Sequence, residues 1–198
     1  MDYYRGAFGG NIAFSYLKKH ARIIIGIISI NVAVFAVSIL IGVHQWTIFQ
    51  GGMAPLGYVL ASGEYWRFLT AMFIHSDILH LVFNMIILMH AGGYLEPQLG
   101  SKWFVAFYLV SGLLVSFFTG ILSSTLSVGA SGALFAILGY ILYFDLRARR
   151  SGRVTNSMIM PLVVINIIFT LIVPKVSTVG HLSGLAIGFF YAFIKGKR

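Results

Sequence analysis

Residues 23 to 43 run for 21 positions without an Asp, Glu, Lys or Arg. At a helical rise of about 1.5 Å per residue, such a run crosses the roughly 30 Å hydrocarbon core of a bilayer. Lys18, Lys19 and Arg22 precede it, as they would in a secretory signal. The run is long, however, and the following His44-Gln45-Trp46 is no small-residue cleavage site, so it reads as an uncleaved first span.

Further apolar segments occupy about 78–95, 103–122, 128–145, 158–173 and 179–194, six in all with the first. With 59% of its 198 residues hydrophobic and 10% charged, the chain departs far from the balance of a soluble domain. The reading is an all-α, polytopic six-helix bundle: a short segment over 1–22, then one membrane domain over 23–195. Six crossings put both termini on one side. An inside amino terminus collects Arg5, Lys18, Lys19, Arg22, Lys102, Arg147, Arg149, Arg150, Arg153, Lys195, Lys197 and Arg198 on the cytoplasmic face, leaving Arg67 and Lys175 outside. That asymmetry predicts a multi-pass cell-membrane protein with cytoplasmic termini.

The net charge of +9 raises the question of nucleic acid, but the basic residues sit at span ends, where they set topology and meet anionic lipid. The partner they point to is the bilayer, with no nucleic acid. Cysteine is absent, and the five acids (Asp2, Glu64, Asp77, Glu96, Asp145) lack metal-ligand spacing. Neither a metal nor another cofactor is expected. The connection over 44–77 carries Trp46, Phe49, Tyr58, Tyr65 and Trp66 with few charges, which predicts a loop partly in the outer leaflet, turning at Gly51-Gly52 and Pro55.

Polar groups inside hydrocarbon are costly and tend to be kept for function, which singles out Ser131 in Gly129-Ala130-Ser131-Gly132 and His181 in Gly180-His181. A serine becomes a nucleophile when a base lies in hydrogen-bond reach and donors await the oxyanion. Gly180, Gly184 and Gly188 repeat every fourth residue on span six, and Gly132, Ala136 and Gly139 offer a small-residue face on span four. Docked together, those faces bring Ser131 and His181 close. Asp145 lies 14 residues after Ser131, roughly 21 Å along a straight helix, so a dyad is expected rather than a triad. On span two, His80 and Asn84 share one helix face and, with the Ser131 N–H, could cradle an oxyanion. His75 precedes that helix and is placed to orient the loop, whereas His90 reads as packing. The Gly-x-Ser-Gly sequence is not the soluble-hydrolase elbow, because Ala133 stands where its second glycine belongs.

Taken together, these residues resemble the rhomboid family of intramembrane serine proteases over about 64–194. The likeness rests on Glu64-Tyr65-Trp66-Arg67, on His75-Ser76-Asp77-Ile78-Leu79-His80-Leu81-Val82-Phe83-Asn84, and on Gly92-Gly93 with Glu96 and Leu99-Gly100. Gly129-Ala130-Ser131-Gly132 and Gly180-His181 with Gly184 and Gly188 complete it. The resemblance implies a six-helix bundle of the minimal bacterial type, with a water-filled cavity open to the outside. In it Ser131 attacks a peptide bond of a transmembrane protein substrate, His181 is the general base, and His80, Asn84 and the Ser131 N–H form the oxyanion hole. Cleavage near the outer face with a small residue before the scissile bond is likewise implied. Trp66 and Arg67 fall in the family's structural first loop, and Phe135 takes the place of a tyrosine that stacks on the histidine, keeping the ring and losing the hydroxyl.

Two rival readings exist. One is a non-catalytic relative that binds membrane helices, against which the joint presence of Ser131 and His181 argues. The other is a channel or transporter, for which pseudo-symmetric halves would be the signature; the chain has no internal repeat. Nothing in the sequence signals an oligomeric state.

Overall fold

A computed structural model of the chain describes residues 14–153, 159–172 and 177–196. The helices, in order, are α1 (Phe14–His20), α2 (Arg22–Leu40), α3 (His44–Gly51), α4 (Leu56–Ser62), α5 (Arg67–Thr70), α6 (Ile78–Leu99), α7 (Ser101–Leu122), α8 (Ser131–Arg150), α9 (Ile159–Ile172) and α10 (Thr178–Lys195), with a 3₁₀ turn at Ala71–Phe73 after α5. Helices α2, α6, α7, α8 and α10 are long and apolar enough to cross a membrane, and α9 is a shorter apolar helix. The outer limits predicted for span five, residues 158 and 173, lie outside the described residues.

Several boundaries differ from the sequence reading, among them the end of span two, which runs to Leu99 rather than 95. The first span stops at Leu40, where Gly42 turns the chain with a φ of 73°. Span four begins at Ser131 rather than 128, because Gly129 has a φ of 127°, a backbone geometry no helix accommodates. It then continues past 145 to Arg150. The connection over 44–77 is largely helical rather than an open loop: Gly52 caps the end of α3, and Pro55, whose fixed φ suits a helix entry, precedes α4.

That connection is held by one buried cation. Arg67, 1% exposed, pairs with Glu64 and donates from Nη1 to the carbonyls of Phe49 and Gly52, both at 2.7 Å. The Trp66 indole N–H donates to the Gln50 carbonyl at 3.1 Å. A single antiparallel bridge, Met53 to Ser127 with N–H···O distances of 2.8 and 2.9 Å, fastens the same segment to the chain leading into α8.

Helix α8 is the most buried of the five long helices and α2 the least, so α8 is central and α2 peripheral. The small-residue faces expected on spans four and six meet. A Cβ on Gly184 would overlap the Gly132 carbonyl oxygen, one on Gly188 that of Ala136, and one on Gly139 that of Leu185. Backbone thus lies on backbone, the geometry that drives helix association where lipid removes the hydrophobic incentive. At the opposite end, Glu96 of α6 is wholly buried and accepts from the N–H groups of Ile23 and Ile24 at 3.1 and 2.9 Å and from Ser101 Oγ at 2.7 Å. It satisfies the first amides of α2, which no local side chain caps.

Candidate active site

Ser131 is the first residue of α8, and no side chain caps that helix end, so its opening N–H groups remain available. The approach to it is fixed by Gly129, whose N–H donates to the Ala71 carbonyl at 2.9 Å. A Cβ on Gly129 would stand 2.8 Å from both Cε1 and Nε2 of His80 and 3.6 Å from Ser131 Oγ. The His80 ring therefore presses on bare backbone beside the serine hydroxyl.

His75, 1% exposed, accepts the Ala130 N–H at Nε2 over 3.4 Å and meets the His80 ring edge-on at 5.0 Å. Burial, reinforced by His80, pushes its pKa down to about 3 against the pull of Asp77. The ring is therefore neutral, and accepting at Nε2 leaves its hydrogen on Nδ1. Asp77 caps α6, accepting the His80 N–H at 2.9 Å and the Ser76 hydroxyl at 2.8 Å. Those hydrogen bonds hold its carboxyl below the usual range. Ser76 Oγ also lies 3.1 Å from His80 Nδ1. The hydroxyl has one proton for two acceptors, and only when it turns to Nδ1 does His80 carry its own hydrogen on Nε2, the atom facing Gly129.

One helical turn further, Asn84 is buried and donates one amide N–H to the His80 carbonyl at 2.8 Å, leaving a second N–H. Across the interface, His181 of α10 is 8% exposed and stacks on Phe135 of α8 with ring centroids 4.1 Å apart and planes 15° from parallel. Its Nδ1 lies 2.6 Å from Thr170 Oγ1 on α9. Ser131 Oγ and His181 are not directly hydrogen-bonded; the histidine's close polar partner is Thr170. A cavity of about 30 Å³ is lined by Ser127, Gly129, Ser131, Gly132, Val115 and Gly180, among others, enough for one ordered water.

The structure brings Ser131, Gly129, Gly132, Phe135, His181, His75, His80 and Asn84 to one end of the α6, α8 and α10 cluster. Asp145 is elsewhere, its carboxylate accepting from Arg149 Nε at 2.8 Å near the far end of α8. Among the described residues no group of three or more His, Cys, Asp or Glu could hold a metal. Sequence reasoning missed Thr170 and the Ser76 and Asp77 side chains. Thr170 had a signal: it follows Asn166 by four residues in an otherwise apolar helix, a polar pair on one face.

The Rhomboid domain family matches residues 62–198. The chain is 37% identical to the rhomboid protease GluP of Bacillus subtilis over 139 residues, 70% of this chain and 27% of that protein. It is 29% identical to the putative rhomboid protease YdcA of the same organism over 76% of this chain and 77% of that one. With the rhomboid protease GlpG of Yersinia pestis it shares 28% identity over 91% of this chain and 66% of the relative. The chain thus spans about a quarter of GluP and most of YdcA.

Proposed function

The chain belongs to the rhomboid family, and on that premise we propose that it is an intramembrane serine endopeptidase acting on transmembrane segments of other proteins. The observation that supports this most is the glycine-faced contact of α8 with α10. It stacks Phe135, one turn below Ser131, directly on His181.

In this reading His181 Nε2 takes the Ser131 hydroxyl proton as Oγ bonds to the scissile carbonyl carbon. The oxyanion receives hydrogen bonds from the Ser131 N–H and the second Asn84 N–H, joined by His80 Nε2–H once the Ser76 hydroxyl turns from Asp77 to His80 Nδ1. His181 then passes the proton to the leaving amine as the C–N bond breaks, and a water, deprotonated by the same nitrogen, hydrolyses the acyl-enzyme. The small cavity beside Ser131 suits a water or a small side chain before the scissile bond. A helical substrate has its carbonyls hydrogen-bonded and shielded, so cleavage favours spans that unwind readily near the outer surface. The six-span domain over 23–195, its short amino-terminal segment over 1–22 and cytoplasmic termini belong to the same proposal.

The test is labelling of the detergent-solubilised protein by a fluorophosphonate serine probe. Wild type is expected to label, and Ser131→Ala and His181→Ala are expected to lose labelling while keeping their thermal unfolding midpoints. Unlabelled wild type, with a control protease reacting alongside, would overturn the proposal in favour of a non-catalytic relative that binds membrane helices.

A further inference from the structure

Thr170 has a single hydroxyl proton and two close neighbours. Its Oγ1 lies 2.7 Å from the Asn166 carbonyl, one turn earlier on α9, and 2.6 Å from His181 Nδ1 on α10. A carbonyl can only accept, so the first contact takes the hydroxyl proton. The second contact then needs its hydrogen from the imidazole, with the Thr170 oxygen accepting from Nδ1–H. Both partners are buried, Thr170 at 3% and His181 at 8% exposure, so water does not compete freely for either. Phe135 on the ring face leaves the imidazole little freedom to turn over.

We propose that Thr170 is a positioning residue that holds His181 as its Nδ1–H tautomer, with the Nε2 lone pair free to receive the Ser131 proton. This deepens the protease reading and rests on it. Among the described residues no carboxylate is hydrogen-bonded to His181, and Asp145 is engaged by Arg149 near the far end of α8. A neutral hydroxyl, itself polarised by donating to Asn166, occupies the place a carboxylate fills in a soluble triad. It fixes the tautomer and the ring plane without the cost of burying an ionised group in the bundle. Through the helix, Asn166 aims Thr170, so α9 contributes to the site without touching Ser131.

The experiment pairs fluorophosphonate labelling rates with ¹⁵N NMR of histidine-labelled, full-length protein in detergent, the His181 signals being assigned by their loss in His181→Gln. The resting wild type is expected to show His181 with Nδ1 protonated and Nε2 bare. Thr170→Val, which keeps the shape and removes the acceptor, is expected to shift the ring toward a tautomer mixture. It should slow labelling roughly 10- to 100-fold, less than the ~10⁴ lost when an ionised orienting residue is replaced. Thr170→Ser restores the acceptor and should keep both the tautomer and the rate, within about threefold. A bare Nδ1 in wild type, or Thr170→Val that labels at the wild-type rate with its tautomer unchanged, overturns the inference. Wild type that fails to label overturns the protease reading instead, and the NMR spectrum then decides the Thr170 contact by itself.

Discussion

His75 shows what one buried imidazole does to a membrane protein's acid tolerance. Its folded pKa of about 3 lies below the ordinary value of 6.5, because burial and then His80 oppose its charge more than Asp77 favours it. As pH falls below about 6.5 the unfolded chain takes up a proton that the folded protein refuses until about 3. Stability is therefore lost across that window on acidification. At about pH 4.5 the loss from this residue reaches up to ~3 kcal/mol. We expect the thermal unfolding midpoint in detergent to drop between about pH 7.5 and about pH 4.5, and His75→Gln to show a shallower drop. Equal slopes would remove His75 as the source. Gly129 works at the same scale: its positive φ and the nearby His80 ring each exclude a side chain where the serine backbone is aimed.

Between elements, the α8/α10 contact decides whether Ser131 and His181 share a site. The atom a Cβ on Gly188 would strike is the Ala136 carbonyl oxygen, which cannot rotate aside as a side-chain tip could. Gly188→Ala must push the helices apart, costing about 1–3 kcal/mol or more as other overpacked cores do. Both Ser131 and His181 remain in that variant, yet labelling should fall sharply. Gly26→Ala on α2 is the matched control, since a Cβ there meets nothing within 4 Å and removing a helical glycine adds up to about 1 kcal/mol of stability. Thermal unfolding of the two variants should therefore move in opposite directions, and a midpoint for Gly188→Ala at or above wild type would contradict the packing.

In the proposed topology the basic residues orient the whole molecule, and the absence of cysteine makes that orientation easy to test. Ser62 at the end of α4 and Ser151 just beyond α8 are both exposed and lie on opposite sides in the proposed topology. In intact bacterial cells expressing single-cysteine variants, Ser62→Cys is expected to react with a membrane-impermeant maleimide, and Ser151→Cys only after lysis. The reverse pattern would invert the topology and place the serine end of α8 toward the cytoplasm.

Hydropathy by itself located the five long helices, because the bilayer's thickness dictates a run length that can be counted along the chain. The fourth-residue glycine spacing also gave the packing of α8 on α10, since that periodicity is local to each helix. Other features needed the tertiary structure. Lipid-facing side chains are as apolar as interior ones, so no hydrophobic stripe told which face of α9 turns inward, and the Asn166 and Thr170 pair that marks that face gained a role only when Thr170 met His181. The sequence reading places Arg67 in a structural loop on the outer side, and the fold supplies its partners: the Phe49 and Gly52 carbonyls and the Glu64 carboxylate, which bury it. The sequence determined where the chain crosses and which residues are chemically able. Only the fold decided which hydroxyls lie within reach of which imidazoles, because that depends on partners brought together from separate helices.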